Sequence, residues 1–330
     1  MRHLELWMRK YRERKEEIRR ELKEYGHWAA GLRKSLSDID LLREVPGKSV
    51  EQLCCYVDGG EGLYELLGLG VYFIRACAVV DSPEGYRFHR DLDLNVIEYC
   101  DHTSEHVGFL RESMELELAL KAAGEGCDTI ILDGSLYVKA SQKTDDSVHA
   151  RKMKESLKSL FEECEMKNIS LVGVSEDSRS RLLVNALSLE MDFRMPSSLT
   201  DSSLLRMVGG ETSFITKTIY PKTLTHLNAR KPVSFPTLYL QPNPLSNPLR
   251  IDYHGPKERM DGIISLIHGL SKNSKRYGYP LPLYIAHLDS NLKNEQVEWT
   301  ARQIIRNAFK SQPDIGEALL RDTRKTHRPG

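Results

Sequence analysis

The chain has no excess of either charge: 47 Lys and Arg are matched by 47 Asp and Glu over 330 residues. That balance excludes a uniformly basic body wrapped on nucleic acid. Any positive surface has to be gathered locally or supplied by a partner. No apolar run approaches the roughly 18 residues that a membrane-spanning helix needs. The opening MRHLELWMRKYRERK has no apolar core of a secretory signal. The six cysteines, at 54, 55, 77, 100, 127 and 164, include no C-x-x-C pair. Most fall in apolar runs and read as small core residues in a reducing compartment. The histidines show no H-E-x-x-H and no Cys/His cluster, so the usual zinc spacings are excluded. Low-complexity tracts and internal repeats are absent too. These absences lead to the expectation of a soluble, cytoplasmic protein, away from membranes, with one large α/β core.

What is present falls into three parts. Residues 1–45 carry Leu4, Trp7, Met8, Tyr11, Ile18, Leu22 and Tyr25 at helical spacing among dense alternating charges. The spacing predicts one long amphipathic helix, used for packing or for dimerisation with a second copy. Residues 46–300 hold the expected core domain. There, 52–58 (QLCCYVD) reads as a buried strand stopped by Gly59-Gly60, 70–80 as a second strand and 90–99 as a half-exposed third. A helix over 104–122, a strand from Thr129 to Asp133, a helix over 151–167 and a strand over 169–174 follow. Weaker strands are expected at 237–241 and 249–253, a helix at 257–271, and an apolar strand or strand end at 283–287 (LYIAH). Strands joined by short turns and then alternating with helices imply a mixed sheet flanked by helices. Residues 301–330 form a C-terminal helical tail, with helices near 293–310 and 314–323.

Asp58 and Asp133 share a local design: an apolar strand, then Asp, then Gly. Asp-Gly after a strand is a common turn. Two of them, each closing a buried strand, instead suggest carboxylates converging at a sheet margin, with glycine admitting a ligand. The intervening helix offers a third acid. Val107, Leu110, Met114 and Leu118 form an apolar stripe, Glu115 lies at its edge, Glu117 falls inside the wider apolar arc, and Glu112 points further round. Periodicity alone leaves Glu115 and Glu117 open, leaning to Glu117. Clustered carboxylates suit hard oxygen-seeking cations such as Mn²⁺ or Mg²⁺, which activate water against a phosphodiester.

Five segments in this order resemble the NurA nuclease family: YVDGG at 56–60 with GVYFIRA at 70–76, RESMEL at 111–116, TIILDGSL at 129–136, RID at 250–252 and YPLPLYIAH at 279–287. The resemblance implies an RNase H-like core and a homodimer. It also implies Mn²⁺-dependent DNA cleavage, both 5′-to-3′ exonuclease and single-strand endonuclease, in double-strand break end resection with a hexameric HerA-type helicase. Carried over by position, Asp58, Glu115 and Asp133 would hold metal, and His287 would be the last ligand or a proton carrier. Tyr279 would touch the substrate or the metal shell. The R-x-x-x-E spacing selects Glu115 over Glu117.

Two positions depart from the family pattern. Gly60 stands where a serine is usual, and Glu176 stands where the strand-end motif usually has lysine. The second removes a phosphate contact for which Arg179 and Arg181 are candidates to compensate. Asp252 is either a further ligand or a turn cap, and Arg75 either pairs with a carboxylate or faces phosphate. Arg151, Lys152, Lys154 and Lys158 read as a solvated helix face. Residues 315–328 are either a frayed tail or a docking element for the helicase. The rival function is a catalytically silent scaffold binding DNA or the helicase; a third reading is an RNA-cleaving relative, since no motif reads a 2′-hydroxyl.

Overall fold

The computed structural model describes residues 2–37, 39–47, 52–136, 147–176, 179–190, 195–221, 233–273 and 277–320. A nine-stranded mixed sheet runs through the molecule. Its strands are β1 (Leu42–Arg43), β2 (Cys54–Glu65), β3 (Leu69–Ser82), β4 (Gly85–Glu98), β5 (Thr129–Asp133), β6 (Ser170–Ser175), β7 (Phe214–Thr216), β8 (Thr237–Gln241) and β9 (Leu249–His254). The spatial order is β1-β7-β8-β9-β6-β5-β2-β3-β4. β2, β3 and β4 form an antiparallel meander, while β5 is parallel to β2 and β6 is parallel to β5. Each parallel step is made through a helix, α2 (Thr103–Gly124) and then α3 (Val148–Lys167). Three antiparallel strands followed by two parallel ones, with helical crossovers, is the RNase H-like arrangement. β9, β8, β7 and β1 extend it by antiparallel pairing.

Alternation along the central strands decides which helix covers which face. Cys55, Val57, Ile130 and Leu132 point to α2 and α3. Cys54, Tyr56, Ile131, Val172 and Val174 point to the opposite layer, made by α6 (Met260–Ser271) and α7 (Leu281–Ser290). α8 (Asn294–Ala308) packs Val297 and Ala301 on Val71 and Phe73 of β3, and α9 (Pro313–Leu319) follows it. The long N-terminal helix α1 (Arg2–Ser37) packs on the described body near its C-terminal end. There Leu32 and Leu36 join a small core with α4 (Leu182–Glu190) and α5 (Asp201–Val208). Among the described residues no helix is long and apolar enough to cross a membrane.

Four expectations are corrected. β2 does not stop at Gly59-Gly60; it runs on to Glu65, so Asp58 lies inside the strand. Residues 283–287 are helical, because Pro280 and Pro282 open α7, where a missing N–H costs nothing. β4 is open on both faces over nearly its whole length, leaving Leu92, Leu94 and Val96 exposed. The helix expected at 257–271 begins as a 3-10 turn, Lys257–Arg259. The tail at 315–328 and the helix at 314–323 are described only as far as 320; the rest lies outside the described residues.

Candidate active site

β5 ends at Asp133, while its neighbour β2 continues past the paired positions Val57 and Leu132. Beyond that point β2 loses its partner on one side, and a gap opens in the sheet. Asp58 and Asp133 follow the paired residues and lie on the α7 side by strand alternation. Glu115 reaches the same gap from α2. Its path is over Gly59, where any Cβ would stand 2.7 Å from Glu115 Oε1. At Gly60 a Cβ would stand 2.3 Å from the carbonyl oxygen of Ser290, at the end of α7. The two glycines therefore serve close approach of helices from both faces rather than a turn.

The three carboxylates feel one another. Asp58 is only 2% exposed. Burial first, then the charges of Asp133 and Glu115, push its carboxyl up to about 6, against hydrogen bonds from Gly59 and His287. Asp58 Oδ1 accepts the Gly59 N–H at 2.7 Å, and Oδ2 lies 2.8 Å from His287 Nδ1 and accepts from Ser290 Oγ at 3.3 Å. Tyr279 is buried and donates its hydroxyl to Asp133 Oδ1 at 2.5 Å. Burial and the adjacent Asp133 charge raise that phenol well above its usual range, so it stays a donor. Glu115 is 1% exposed and ion-paired with Arg111, whose Nε also donates to Glu61 Oε2 at 3.1 Å. Burial works against the Arg111 charge, but Glu115, Glu112 and Glu61 outweigh it and the guanidinium stays charged.

Asp58, Glu115, Asp133, Tyr279 and His287 are thus brought to one place. Glu117 is not: it is exposed and paired with Lys152 at 3.0 Å. The periodicity preference for Glu117 is corrected, because α2 is buried against α3 as well as the sheet and the apolar arc is wider than the sheet-facing one. Asp252 is neither a turn cap nor part of this cluster. It sits within β9, fully buried, accepting from Ser135 Oγ at 2.5 Å, Thr237 Oγ1 at 2.7 Å and Arg250 Nε at 2.9 Å. Through Ser135 it braces the turn that follows Asp133. Arg75 donates to the carbonyl of Asp289 at 3.1 Å, so it supports the end of α7. Arg181 spends one nitrogen on the carbonyls of Pro196, Ser197 and Leu199, and only Arg179 is left exposed as the candidate to compensate for Glu176. Lys152 and Lys158 form surface ion pairs, in keeping with a solvated face. Nothing in the sequence marks Ser290; it lies one helical turn beyond His287, a relation hidden while 283–287 reads as a strand.

Among the described residues no three His, Cys, Asp or Glu side chains already stand at metal-ligating geometry. Each acid is held instead by an organic donor: Asp58 by Ser290 and the Gly59 amide, Asp133 by Tyr279, Glu115 by Arg111. The donor chemistry nonetheless fits a hard divalent cation. Burial first, and then the charges of Asp133 and Glu115, hold the Asp58 carboxyl up at about 6, and a bound cation would offset both.

The fold and the site together define a class, an RNase H-like α/β protein with a buried carboxylate centre. The chain belongs to the NurA family: the family model, described as the NurA domain, matches residues 54–292. Solved structures agree on the fold. The NurA nuclease from Sulfolobus solfataricus is 20% identical, with 92% of this chain and 98% of that chain aligned at a TM-score of 0.71. Another NurA structure is 14% identical, covering 91% of this chain and 99% of that one at a TM-score of 0.62. A NurA structure bound to dAMP and manganese is 12% identical, covering 88% of this chain and 97% of that one, also at 0.62. No curated protein matches the chain.

Proposed function

We propose that this chain is a metal-dependent nuclease that hydrolyses DNA at the Asp58, Glu115 and Asp133 centre. The observation that carries this reading is the gathering of three carboxylates from β2, α2 and β5 at one break in the sheet, where burial and then the charges of Asp133 and Glu115 raise Asp58 to about 6. Asp58, Glu115, Asp133 and His287 are the residues that would hold the cation, Mn²⁺ with Mg²⁺ as the other candidate; the manganese-bound relative supports that choice. When bound, such a cation supplies an acidified water and neutralises charge on the phosphodiester.

The protein's own groups do the rest. With Asp58 ionised, the hydrogen bond to Nδ1 keeps the His287 proton on that nitrogen, leaving Nε2 as the basic atom. The ring is 48% exposed, so Nε2 can ligate the cation or take a proton from an attacking water and return it to solvent. Tyr279 remains protonated and orients Asp133 rather than acting as an acid. Ser290 donates to the same Asp58 oxygen that His287 contacts. Arg111 stays charged and is ion-paired with Glu115.

The finer reading is a 5′-to-3′ exonuclease and single-strand endonuclease, acting in end resection as a homodimer with a hexameric HerA-type helicase. Family membership supports it, and the exposed Leu4, Trp7, Met8, Tyr11, Leu22 and Tyr25 on α1 support self-association or docking. The division into an N-terminal helix (1–45), a nuclease domain (46–300) and a helical tail (301–330) belongs to this proposal, as does a cytoplasmic location. The Arg111–Glu115 pair is the observation that favours the rival, a silent scaffold, because it occupies one would-be ligand. Digestion of 5′- and 3′-labelled single-stranded and blunt duplex DNA with Mn²⁺, Mg²⁺ or EDTA separates the two. Metal-dependent shortening from the 5′ end supports the exonuclease; binding without cleavage, helicase included, establishes the scaffold.

A further inference from the structure

We propose that Tyr277 and Glu176 form a base-binding edge beside the carboxylate centre, taking the unpaired nucleobase of a single-stranded substrate. Tyr277 stacks on the base, and Glu176 turns the phosphate backbone away from it. This rests on the nuclease reading above and names the substrate element that the site holds next to the reacting bond.

Tyr277 is 40% exposed although it is part of an aromatic cluster. Its ring lies 5.7 Å from that of Tyr279 and 5.2 Å from that of Tyr284, at interplanar angles of 55° and 67°. Both neighbours are tilted against it, so they buttress the ring without covering it as parallel stacking would. Tyr279 is the residue that donates to Asp133, and the charges of Glu176 and Asp133 both reach the Tyr277 phenol. The open ring is therefore a direct neighbour of the centre. Its hydroxyl donates to Glu176 Oε1 at 3.1 Å, which fixes the ring's orientation on its exposed side.

An exposed, oriented aromatic ring beside a phosphodiester-cleaving centre is the geometry of a stacking platform. Every base has a π-face, and stacking requires that the base be unpaired. Glu176 decides the polarity of the contact. An exposed carboxylate close to Asp133 repels phosphate, so a strand entering the site keeps its backbone away from this edge and offers it a base. A carboxylate there also accepts from the amino groups of adenine, cytosine or guanine, which thymine lacks.

The test is an abasic scan. Single-stranded oligonucleotides carrying one abasic residue at successive positions are cleaved in Mn²⁺ by the full-length protein and by Tyr277→Ala, Tyr277→Phe and Tyr277→Trp. On intact DNA, Tyr277→Ala raises KM about 5- to 150-fold with kcat nearly unchanged; Phe and Trp restore most of the loss. At one abasic position the wild-type protein falls to the level of Tyr277→Ala, and the two become equal. An unchanged KM in folded Tyr277→Ala, or a defect that persists at every abasic position, overturns the proposal. Fluorescence anisotropy of the same oligonucleotides in EDTA reads the same comparison without cleavage. If the wild-type protein binds but does not cleave, the nuclease reading fails while the anisotropy series still decides this one. Glu176→Gln leaves stacking intact and narrows the gap between thymine and the other bases at the mapped position; an unaltered gap removes Glu176 from the edge.

Discussion

Replacing Asp58 by asparagine removes a charge from a place where burial and two like charges oppose it. The carboxyl titrates at about 6 in the folded protein against a usual 3.8, a rise of about two units. At about 1.4 kcal/mol per unit, an ionised Asp58 costs the metal-free fold about 3 kcal/mol. The sign follows from linkage: a raised carboxyl pKa means the folded state binds the proton more tightly. Stability is therefore lost as pH rises from about 4 to about 6, and the full cost is present above that window. Asparagine keeps an acceptor for the Gly59 amide and the same shape, so Asp58→Asn should stabilise the metal-free protein by up to about 3 kcal/mol at pH 8. For a chain of this length that is up to about 4 °C in Tm. At pH 4.5 the gain shrinks to about 1 kcal/mol. Thermal unfolding in EDTA across this pH range is the assay, repeated with Mn²⁺. Added Mn²⁺ should raise Tm of the natural protein and leave that of Asp58→Asn unmoved. A variant no more stable than the parent at pH 8, or a gain of equal size at pH 4.5, would refute the electrostatic account of the cluster.

Glu115→Gln should cut Mn²⁺-dependent cleavage by at least a hundredfold, while Glu117→Gln, at an exposed pair with Lys152, should stay within twofold; the reverse order in a cleavage assay would mean that α2 presents a different acid. Gly60→Ser places a Cβ where the Ser290 carbonyl lies 2.3 Å away, so α7 must move. A loss of about 2–3 kcal/mol in denaturant unfolding and a fall in activity are expected, and a neutral result would show that α7 packs differently on β2.

The apolar strands ending or passing through Asp58 and Asp133 were legible, because buried parallel strands read as near-continuous hydrophobic runs. The choice between Glu115 and Glu117 was not legible from periodicity, since α2 is buried on two sides. The R-x-x-x-E spacing of the family motif is what selects Glu115. Gly59-Gly60 reads as a strand stop, because local turn chemistry is the commoner use of such pairs. Their actual role depends on Glu115 and on Ser290, far along the chain, and no local pattern encodes that. The family motif points to His287 but not to its helix: LYIAH is short, apolar and β-prone, and only Pro280 and Pro282 hint at a helical start. With the helix goes Ser290. The small β1 and β7 and the turn of α4 and α5 carry too few residues for any periodicity to register.

The central claim is that the Asp58, Glu115 and Asp133 cluster is a metal-dependent nuclease centre. The most direct test is cleavage of labelled single-stranded DNA by the full-length protein and by Asp133→Ala, with Mn²⁺ and with EDTA, after circular dichroism has shown both to be folded. The account predicts Mn²⁺-dependent degradation by the natural protein, abolished by EDTA and absent in Asp133→Ala. Undiminished cleavage by folded Asp133→Ala, or cleavage that continues in EDTA, would contradict it.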